Sequence, residues 1–549
     1  AASLLFLRDG DAGLEVLMLR RAERHDDLRS GACVFPGGVL DPADRDAHRV
    51  VIGADDGGTS GQLGLTDGGL DYLVAAVRES FEEVGLLLVC GPDGGAVDLT
   101  PHADALAHWR RRLQQGQGSM AALCDALGLR LDLRGLHYLS HWLTPPGLPK
   151  RFDTRFFTVL VPPEQHAEAD RGEAIELMWI TPAAALDPAR GLVLLPVTRR
   201  TLQELQRHAD AAAAHAAAGQ VRVVPLTMPR RARGGGGDKS PRIVLPDEPA
   251  YAELARLDPD GTRPAACEIV PGVAVRLSPR IVRVTAPNPG VMTGPGTNSY
   301  LVGDPDPAQG GWTLIDPGPD DAAHRAALLA AAGARPVVQI LTTHTHKDHS
   351  PGAAALQAAT GARVLGRRAP PHPGQDHGFA PDHEPADGDR LVLGPATTLR
   401  AIHTPGHASN HLCWLLEQER LLFTGDQVMQ GSTVVINPPD GDMAAYLRAL
   451  ESLLDEDLEW FAPGHGFLIA TPHAVLRALI AHRLRRETKV LAALASHGPG
   501  DLAALVRVVY DEVPTALHPV AQRSLLAHLL KLRHDGRAVE RDEGVWTAA

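Results

Sequence analysis

Four residues that commonly bind metal ions lie within six positions of the chain, in the stretch LTTHTHKDHSPG. They are His344, His346, Asp348 and His349, and they follow an apolar run that is typical of a β-strand. A loop at the end of a strand can point several side chains at one place. Neutral imidazole and carboxylate groups suit zinc and related divalent ions. The spacing therefore predicts a metal site at the edge of a sheet.

The surrounding sequence predicts a layered α/β domain that positions this loop. From residue 269 to about 485, short β-type runs alternate with helical stretches, and the histidine motifs come just after predicted strands. Residues 1 to about 220 mix similar runs and predict a second α/β module. The piece between them, about 221–267, is rich in Pro and Gly and predicts turns. After residue 485, three helical stretches and an extended end predict a winged helix.

Composition narrows the class of protein. The 549 residues predict about three or four domains. The net charge of −13 counts against a general nucleic-acid binder, although a local basic patch could exist. We find no apolar run of about twenty residues and expect no membrane span. The five cysteines are widely scattered, which favours a reducing compartment, and we expect a cytoplasmic protein.

The stretch HTHKDH resembles the HxHxDH signature of the metallo-β-lactamase superfamily, and TPGH, FTGDQ and APGHG resemble its later motifs in order. The resemblance implies two zinc ions. The first would be bound by His344, His346 and His407, and the second by Asp348, His349 and His465. Asp426 would bridge the two ions. Asp348 would also orient the nucleophile as a catalytic residue, and Asp316 in LIDPG would orient ligands. His403 and His411 beside TPGH are expected to be supporting groups.

From residue 268 to the end, the chain is similar to metallo-β-lactamase proteins with a C-terminal winged helix. RIVRVTAPNPGVMTGPGTNSYLVG and AHRLRRETKVL carry this likeness. The group includes a mitochondrial endoribonuclease and polyketide-releasing thioesterases, so phosphodiester and thioester cleavage both remain open. Two cations roughly 3.5–4 Å apart would serve either reaction, because they activate water and stabilise developing negative charge.

A second cluster of chemical groups lies in VRESFEEVGLLL. Arg78, Glu79, Glu82 and Glu83 have helical spacing, which puts three carboxylates on one face within a turn. An acidic helix face is usually only solvated. Such a cluster nevertheless suits Mg²⁺ or Mn²⁺, which can bridge protein carboxylates and substrate phosphates.

RESFEEVG resembles the second half of the Nudix box, and VFPGGVLDPAD resembles its first half. About 26 extra residues, at about 45–70, separate the halves, and we expect them to loop out without moving the helix. Asp44 stands where the box usually has Glu. VLMLRRA, LAHWRRRL and RFDTRFFTVLV are similar to the peroxisomal coenzyme A diphosphatases of the Nudix superfamily, which carry the same insertion. This resemblance covers roughly residues 3–253 and implies attack of water on a diphosphate linkage.

The Nudix resemblance also assigns roles. It implies three ligands for Mg²⁺ or Mn²⁺: Glu79, Glu82 and Glu83. Arg78, which orients a carboxylate, and Glu82 would be catalytic, and the backbone of Gly38 would lie near the metal. Glu173 or Glu176 is a candidate base, with a plain surface glutamate as the alternative.

The tail from 483 to 549 has nearly balanced charge, and Leu525, Leu526, Leu529 and Leu532 form a stripe typical of a packed core. We therefore favour a scaffold or lid over an RNA reader. Arg523 and Lys531, together with Arg533, are the residues to test for RNA contact.

The sequence thus predicts an α/β and α+β multidomain hydrolase. The expected parts are a Nudix α/β/α sandwich, a linker, a metallo-β-lactamase αββα sandwich and a small winged-helix tail, at 1–253, 254–267, 268–485 and 486–549. We expect a bifunctional enzyme that cleaves a diphosphate at the Nudix site and an ester or thioester at the zinc site, with small phosphorylated or thioester substrates. The alternatives are a zinc-dependent endoribonuclease in the C-terminal half and a non-catalytic, nucleotide-sensing Nudix half.

Overall fold

The computed structural model describes residues 1–21, 31–148, 150–162, 164–168, 174–220, 223–235, 240–541 and 544–549. The chain forms two compact units, unit 1 at Ala1–Pro229 and unit 2 at Arg230–Ala549. Both units combine strands with helices, which confirms the predicted mixed α/β and α+β class. Within the described residues, we find no helix that is both long and apolar enough to cross a membrane.

Within its described residues, unit 1 contains a nine-stranded mixed sheet and a small three-stranded sheet. Its described strands are β1 Ala2–Gly10, β2 Gly13–Arg21, β3 Ala32–Val34, β4 Gly37–Gly38, β5 Val51–Ile52, β6 Val89–Cys90, β7 Arg130–Asp132, β8 His137–Leu143, β9 Asp153–Leu160, β10 Ala174–Ile180, β11 Val193–Leu194 and β12 Leu226–Thr227. Its described helices are α1 Asp56–Leu63, α2 Gly69–Val84, α3 Ala103–Gln114, α4 Met120–Leu127, α5 Pro182–Leu186, α6 Pro196–Leu205 and α7 Ala211–Gln220. The main sheet has the order β11-β3-β2-β1-β9-β8-β12, with β10 added on β2 and β4 on β1, and the small sheet has the order β5-β7-β6.

Helix α2 is amphipathic, and this places the carboxylate cluster. Its apolar residues, among them Val74, Val77 and Phe81, are buried in one core with Leu4 and Leu17 of the sheet. The residues between them turn toward the other side of the helix. The helix ends at Gly85, which has a positive φ of 72° and donates its N–H to the Phe81 carbonyl, as a glycine after a helix commonly does.

The insertion that splits the Nudix box is ordered rather than a simple loop. It contains helix α1, and Asp56 at its start accepts hydrogen bonds from the backbone amides of Gly68 and Leu70, both at 3.0 Å. Ser60 accepts a third, from Gly69 at 2.8 Å. These three bonds satisfy amides at the start of α2, where a helix has no internal partners for them. The insertion therefore fixes the start of the helix that carries the carboxylates.

Unit 2 contains two facing sheets with helices outside them. Its described strands are β13 Arg230–Arg233, β14 Pro241–Val244, β15 Ala274–Arg276, β16 Ile281–Thr285, β17 Asn298–Val302, β18 Trp312–Ile315, β19 Val337–Leu341, β20 Arg363–Leu365, β21 Arg390–Gly394, β22 Thr397–His403, β23 Leu412–Leu416, β24 Leu421–Gly425, β25 Trp460–Pro463, β26 Ile469–Ala470, β27 Ala538–Glu540 and β28 Trp546–Ala548. Its described helices are α8 Tyr251–Leu257, α9 Ala322–Ala332, α10 Gly352–Thr360, α11 Met443–Ser452, α12 Pro472–His497, α13 Leu502–Val509 and α14 His518–His534.

The two sheets run in the orders β15-β16-β17-β18-β19-β20 and β21-β22-β23-β24-β25-β26. Their inner faces share a core in which Tyr300 and Ile315 of the first sheet meet Trp414 and Phe423 of the second. Residues of α9 and α10 pack on the outer face of the first sheet, and residues of α11 and α12 pack on the second. This is the predicted αββα sandwich.

The C-terminal part has its own core, made by the end of α12, by α13 and α14, and by the β27-β28 hairpin. Of the predicted stripe, Leu525, Leu529 and Leu532 are fully buried there, whereas Leu526 is partly buried and packs against them. Helix α12 runs without a break through the predicted boundary at 485 and 486.

Candidate active sites

The predicted metal ligands of unit 2 lie in loops that follow strands. The loop between β19 and α10 carries the HTHKDH stretch. His407 comes after β22, Asp426 directly after β24, and His465 after β25. The loops bring the ligand atoms of all seven residues into two clusters.

The first cluster consists of three histidines and one carboxylate. His346 Nδ1 lies 2.9 Å from His344 Nε2 and 3.0 Å from His407 Nε2. Oδ2 of Asp426 lies 3.6 Å from His407 Nε2. The ligand atoms of these four residues all come within 4.8 Å of one another.

The second cluster consists of Asp348, His349 and His465. Oδ2 of Asp348 lies 3.4 Å from Nε2 of each histidine. The other oxygen of Asp426, Oδ1, lies 3.4 Å from His349 Nε2 and 3.3 Å from His465 Nε2. Asp426 thus presents one oxygen to each cluster, as a ligand shared by two ions would.

Protein groups fix the orientation of the rings. The Nδ1–H group of His344 donates to Thr343 Oγ1 at 3.0 Å. That of His407 donates to the Val435 carbonyl at 2.9 Å, and that of His465 to the Gly296 carbonyl at 3.1 Å. Because one nitrogen of each ring is a donor, the other carries a lone pair toward the cluster.

Asp316 supports two of the predicted ligands, as the sequence suggested. Its Oδ2 accepts from His349 Nδ1 at 2.9 Å and from Thr343 Oγ1 at 2.8 Å, and Thr343 in turn holds His344. Asp316 is buried and has a positive φ of 53°, which is uncommon for a residue other than glycine. This uncommon backbone conformation occurs where the Asp316 carboxylate contacts His349 directly and supports His344 through Thr343.

The charges of the cluster are strongly perturbed. Burial lowers the pKa of His344 far below its ordinary value, and lowers the pKa of His346 to about 3. Burial would also lower the pKa of His349, but the carboxylates of Asp348 and Asp426 raise it well above its ordinary value. His344 and His346 are therefore held in the neutral form that binds metal. A bound cation would have to displace the proton that Asp348 and Asp426 favour on His349.

The positions of the nitrogen and oxygen atoms in the two clusters fit a pair of divalent ions. His344 and His407 both present a lone pair to His346 Nδ1 at 2.9 and 3.0 Å, and one proton on that nitrogen can satisfy only one of them. His349 Nε2 and Asp426 Oδ1 are buried and lie 3.4 Å apart, but neither forms a hydrogen bond of good geometry. Cations between these atoms would satisfy all of them.

Sequence reasoning missed one neighbour of the cluster, Thr297. Its hydroxyl donates to Asp348 Oδ2 at 3.1 Å, and Asn288 holds Thr297 through a 3.0 Å bond to the same hydroxyl. Thr297 belongs to the GTNSY stretch, whose likeness to the family was the available signal. Of the two expected supporting histidines, His411 is buried and its ring lies 5.0 Å from that of His344, while His403 bonds to the Ser409 carbonyl.

In unit 1, Arg78 is the centre of the carboxylate cluster. Its guanidinium donates to both oxygens of Asp44, at 2.8 and 3.1 Å, and to Glu79 and Glu82, at 3.0 and 3.1 Å. Burial would lower the pKa of Arg78, but the hydrogen bond to Asp44 raises it above its ordinary value. Asp44, which stands where the Nudix box usually has Glu, is buried, and its two hydrogen bonds position the Arg78 guanidinium.

The three predicted metal ligands of unit 1 do not form a converging group among the described residues, in contrast to the clusters of unit 2. Glu79 and Glu82 face Arg78, whereas Glu83 accepts from the Gly37 amide at 2.8 Å. Burial raises the pKa of Glu79 and of Glu82. Gly38 contacts the cluster closely: a Cβ atom there would lie 2.3 Å from the Glu79 carboxyl carbon.

Of the two candidate bases of unit 1, only Glu176 lies among the described residues. Glu173 lies outside the described residues. Glu176 lies on β10 with its side chain about half exposed, 3.8 Å from Arg20 on β2. Its role as a base stays a prediction.

Comparison with known proteins agrees with the site geometry of unit 2. A model of the metallo-β-lactamase superfamily matches residues 292–465. An atrochrysone carboxyl ACP thioesterase from Aspergillus chevalieri is 34% identical over 270 residues, covering 46% of this chain and 81% of that protein. A beta-lactamase-like protein 2 homolog from Drosophila melanogaster is 31% identical over 285 residues, covering 49% of this chain and 92% of that protein. The chain belongs to the metallo-β-lactamase superfamily.

Two further family models match outside the metallo-β-lactamase region. The NUDT19 Nudix domain matches residues 52–191, and the beta-lactamase associated winged helix domain matches residues 502–546. A NUDIX hydrolase structure from Alicyclobacillus acidocaldarius is 28% identical with a TM-score of 0.34, covering 41% of this chain and 96% of that one. The predicted fusion is confirmed: this metallo-hydrolase combines a metallo-β-lactamase domain, a winged helix and a Nudix domain.

Proposed function

We propose that unit 2 is a dinuclear zinc hydrolase that cleaves an ester or thioester with water. The observation that carries this proposal is the position of Asp426, whose two oxygens face two separate ligand clusters. Two divalent ions, when bound there, supply Lewis acidity that activates water and stabilises negative charge on the substrate. The remaining steps depend on residues of the chain.

Asp348 orients the attacking water in this proposal. Its carboxylate is fixed by the Thr297 hydroxyl at 3.1 Å and faces the rings of His349 and His465. The water oxygen attacks the acyl carbon, the bond from that carbon to sulfur or oxygen breaks, and the released thiolate or alkoxide takes up a proton. The products are a carboxylic acid and a thiol or alcohol.

An exposed apolar loop that is anchored at the centre through Thr297 supports an acyl substrate. The chain from Asn288 to Thr297 forms a loop whose base bonds to Asp348, and its residues Val291 and Met292 are 84% and 46% exposed. In this proposal the exposed apolar side chains of the loop contact an apolar acyl group. A relative named as an acyl carrier protein thioesterase adds support.

The basic residues of the tail give less support to RNA. Lys531 pairs with Glu487 at 2.9 Å and with Asp535 at 2.7 Å, and Arg533 pairs with Glu540. Their charge is largely offset within the tail, whereas RNA binding draws on uncompensated positive charge. Only Arg523 of the three residues proposed for RNA contact has no acidic partner in the described part of the chain.

For unit 1 we propose Mg²⁺-dependent cleavage of a diphosphate linkage in a coenzyme A-like or nucleoside diphosphate compound. Water attacks one phosphorus, the bridging phosphorus–oxygen bond breaks, and two phosphorylated products leave. The match to a Nudix family model supports this reaction.

A second candidate for unit 1 is a nucleotide-sensing domain without catalysis. It is favoured by the hydrogen bonds that already occupy the carboxylates, from Arg78 to Glu79 and Glu82 and from Gly37 to Glu83. A nucleotide that binds without being cleaved would then be the ligand of unit 1.

One experiment separates these functions. Purified protein, His346→Ala and Glu82→Gln are given acyl-CoA thioesters with Zn²⁺, coenzyme A and nucleoside diphosphate compounds with Mg²⁺, and single-stranded RNA. We expect His346→Ala to lose only thioester cleavage and Glu82→Gln to lose only diphosphate cleavage. Cleavage of RNA in place of thioesters would contradict the proposal for unit 2, and binding without diphosphate cleavage in the parent would leave the sensing role for unit 1.

A further inference from the structure

A buried ion pair lies next to one of the metal-ligand loops. Glu253 of α8 and Arg283 of β16 are each 2% exposed, and the two form paired hydrogen bonds of 2.7 and 2.9 Å. Removing two charges from water is costly, so a buried pair is poor evidence for stability alone. Its remaining contacts indicate what else it does.

The ion pair binds the turn that carries His465. Oε2 of Glu253 accepts the Leu468 backbone amide at 2.9 Å, and the Arg283 guanidinium donates to the Gly466 carbonyl at 3.5 Å. The two contacts lie one and three residues beyond His465. The turn therefore receives bonds from both members of the pair directly after a predicted ligand.

A second contact joins the same segment to this turn. Gln430 donates to the Pro249 carbonyl at 2.6 Å and accepts the Phe467 amide at 2.9 Å. The stretch from Pro249 to Glu253 thus contacts the turn directly through Glu253 and indirectly through Gln430. This stretch lies outside the residues matched by the family models, which end at 191 in unit 1 and begin at 292 in unit 2.

We propose that Glu253 is a positioning residue for His465, and that helix α8 thereby sets the metal affinity of the second cluster. The inference rests on the proposed metal centre. Without the Glu253 carboxylate, Arg283 is left buried without a counter-charge, and the single acceptor oxygen of a glutamine cannot serve both Arg283 nitrogens and the Leu468 amide. Groups that orient a ligand from behind typically change metal affinity by about 10–100-fold when they are removed.

The test measures each cluster separately in the full-length chain. In a His346→Ala background, Co²⁺ binding reports on the cluster of Asp348, His349 and His465; in a His465→Ala background, it reports on the other cluster. Co²⁺ affinity is measured from its visible absorption in competition with a chelator. We expect Glu253→Gln to weaken binding about 10–100-fold in the first background and less than about twofold in the second.

Glu248→Gln is the matched control, because Glu248 lies in the same segment but forms an exposed ion pair with Arg242. The double variant Glu253→Leu with Arg283→Met covers the case in which Glu253→Gln does not fold, since it leaves no buried charge unpaired. It should show the same selective loss.

Equal losses in both backgrounds, or unchanged affinity in both, would overturn the positioning role. If the His346→Ala and His465→Ala chains with Glu253 unchanged, and the unsubstituted chain, all bind no Co²⁺, the metal centre is overturned and this inference with it. That result differs from a parent that binds Co²⁺ and a variant that binds it equally well, which leaves the proposed function intact.

Discussion

The two candidate sites hold their charged groups in opposite ways. In the metal centre of unit 2, lone pairs of His344 and His407 point at the same nitrogen of His346, and buried atoms of the cluster form no hydrogen bond of good geometry. In the cluster of unit 1, by contrast, Arg78 donates to three carboxylates and the Gly37 amide to a fourth. The first site contains lone pairs that one proton on His346 cannot satisfy, whereas the carboxylates of the second are hydrogen-bonded without a cation.

The difference follows from the chemistry of the ligands. An arginine in the same chain can neutralise carboxylates, so a cluster of acids can be stable between encounters with metal. Converging lone pairs of neutral imidazoles accept no such substitute without being protonated, and burial opposes protonation, as the low pKa of His344 shows. We therefore expect unit 2 to retain its ions and unit 1 to bind Mg²⁺ together with its substrate.

Replacing Asp426 should give the largest effect, because it is the one ligand that faces both clusters. We expect Asp426→Ala to lose both ions and to lower thioester turnover by about 10³-fold or more, equivalent to several kcal/mol of lost stabilisation. Diphosphate cleavage in unit 1 should not change. Metal content and turnover are compared with Asp457→Asn, whose carboxylate is 78% exposed. Retention of two ions by Asp426→Ala would contradict the shared role.

Replacing Arg78 should have a smaller but local effect on unit 1. Asp44 is buried, so Arg78→Met leaves its carboxylate unpaired, and breaking such a pair costs about 3–5 kcal/mol. Hydrogen exchange of α2 in the full chain measures this loss of local stability, with the exposed Arg111→Met as control. If Mg²⁺ alone restored full protection of α2 from hydrogen exchange in Arg78→Met, the carboxylates of unit 1 would form a metal site without substrate. That result would contradict the difference drawn between the two sites.

Removing metal should separate the two sites without any substitution. Ions at a concentration of 100 times their Kd stabilise a folded state by about 2.7 kcal/mol, and a chelator withdraws that stabilisation. We expect faster hydrogen exchange in the loop from His344 to His349 after chelation and unchanged exchange in α2. Equal effects on both segments would mean that both sites hold resident ions.

The short motifs and their family resemblance were sufficient to identify the proposed metal ligands. The short motifs around His344, His407, Asp426 and His465 placed each residue after a strand, and the structure has that arrangement. Asp316 was also identified from its motif. These signals are local, because a ligand residue and the strand before it are neighbours in the chain.

The supporting contacts could not be predicted, because they join distant parts of the chain or use the backbone. Glu253 contacts a backbone amide 215 residues away, and the carbonyls of Gly296 and Val435 that fix two rings have no side-chain signature. The insertion before α2 was expected to loop out, yet Asp56 in it binds the start of that helix. Which backbone groups face each other is decided by the packed fold.

The smallest predicted effect tests whether α14 also supports the metal centre. The Ile436 amide donates to Ser524 Oγ at 3.4 Å, next to the Val435 carbonyl that orients His407. A bond of this length contributes weakly, so we expect Ser524→Ala to lower Co²⁺ affinity of the His344, His346 and His407 cluster by about twofold, equivalent to about 0.5 kcal/mol. The measurement uses the His465→Ala background, with Ser496→Ala as control because Ser496 is exposed and bonds within its own helix. An unchanged affinity would contradict a role for the tail in this cluster, whereas a loss confined to it would make the two clusters depend on opposite ends of unit 2.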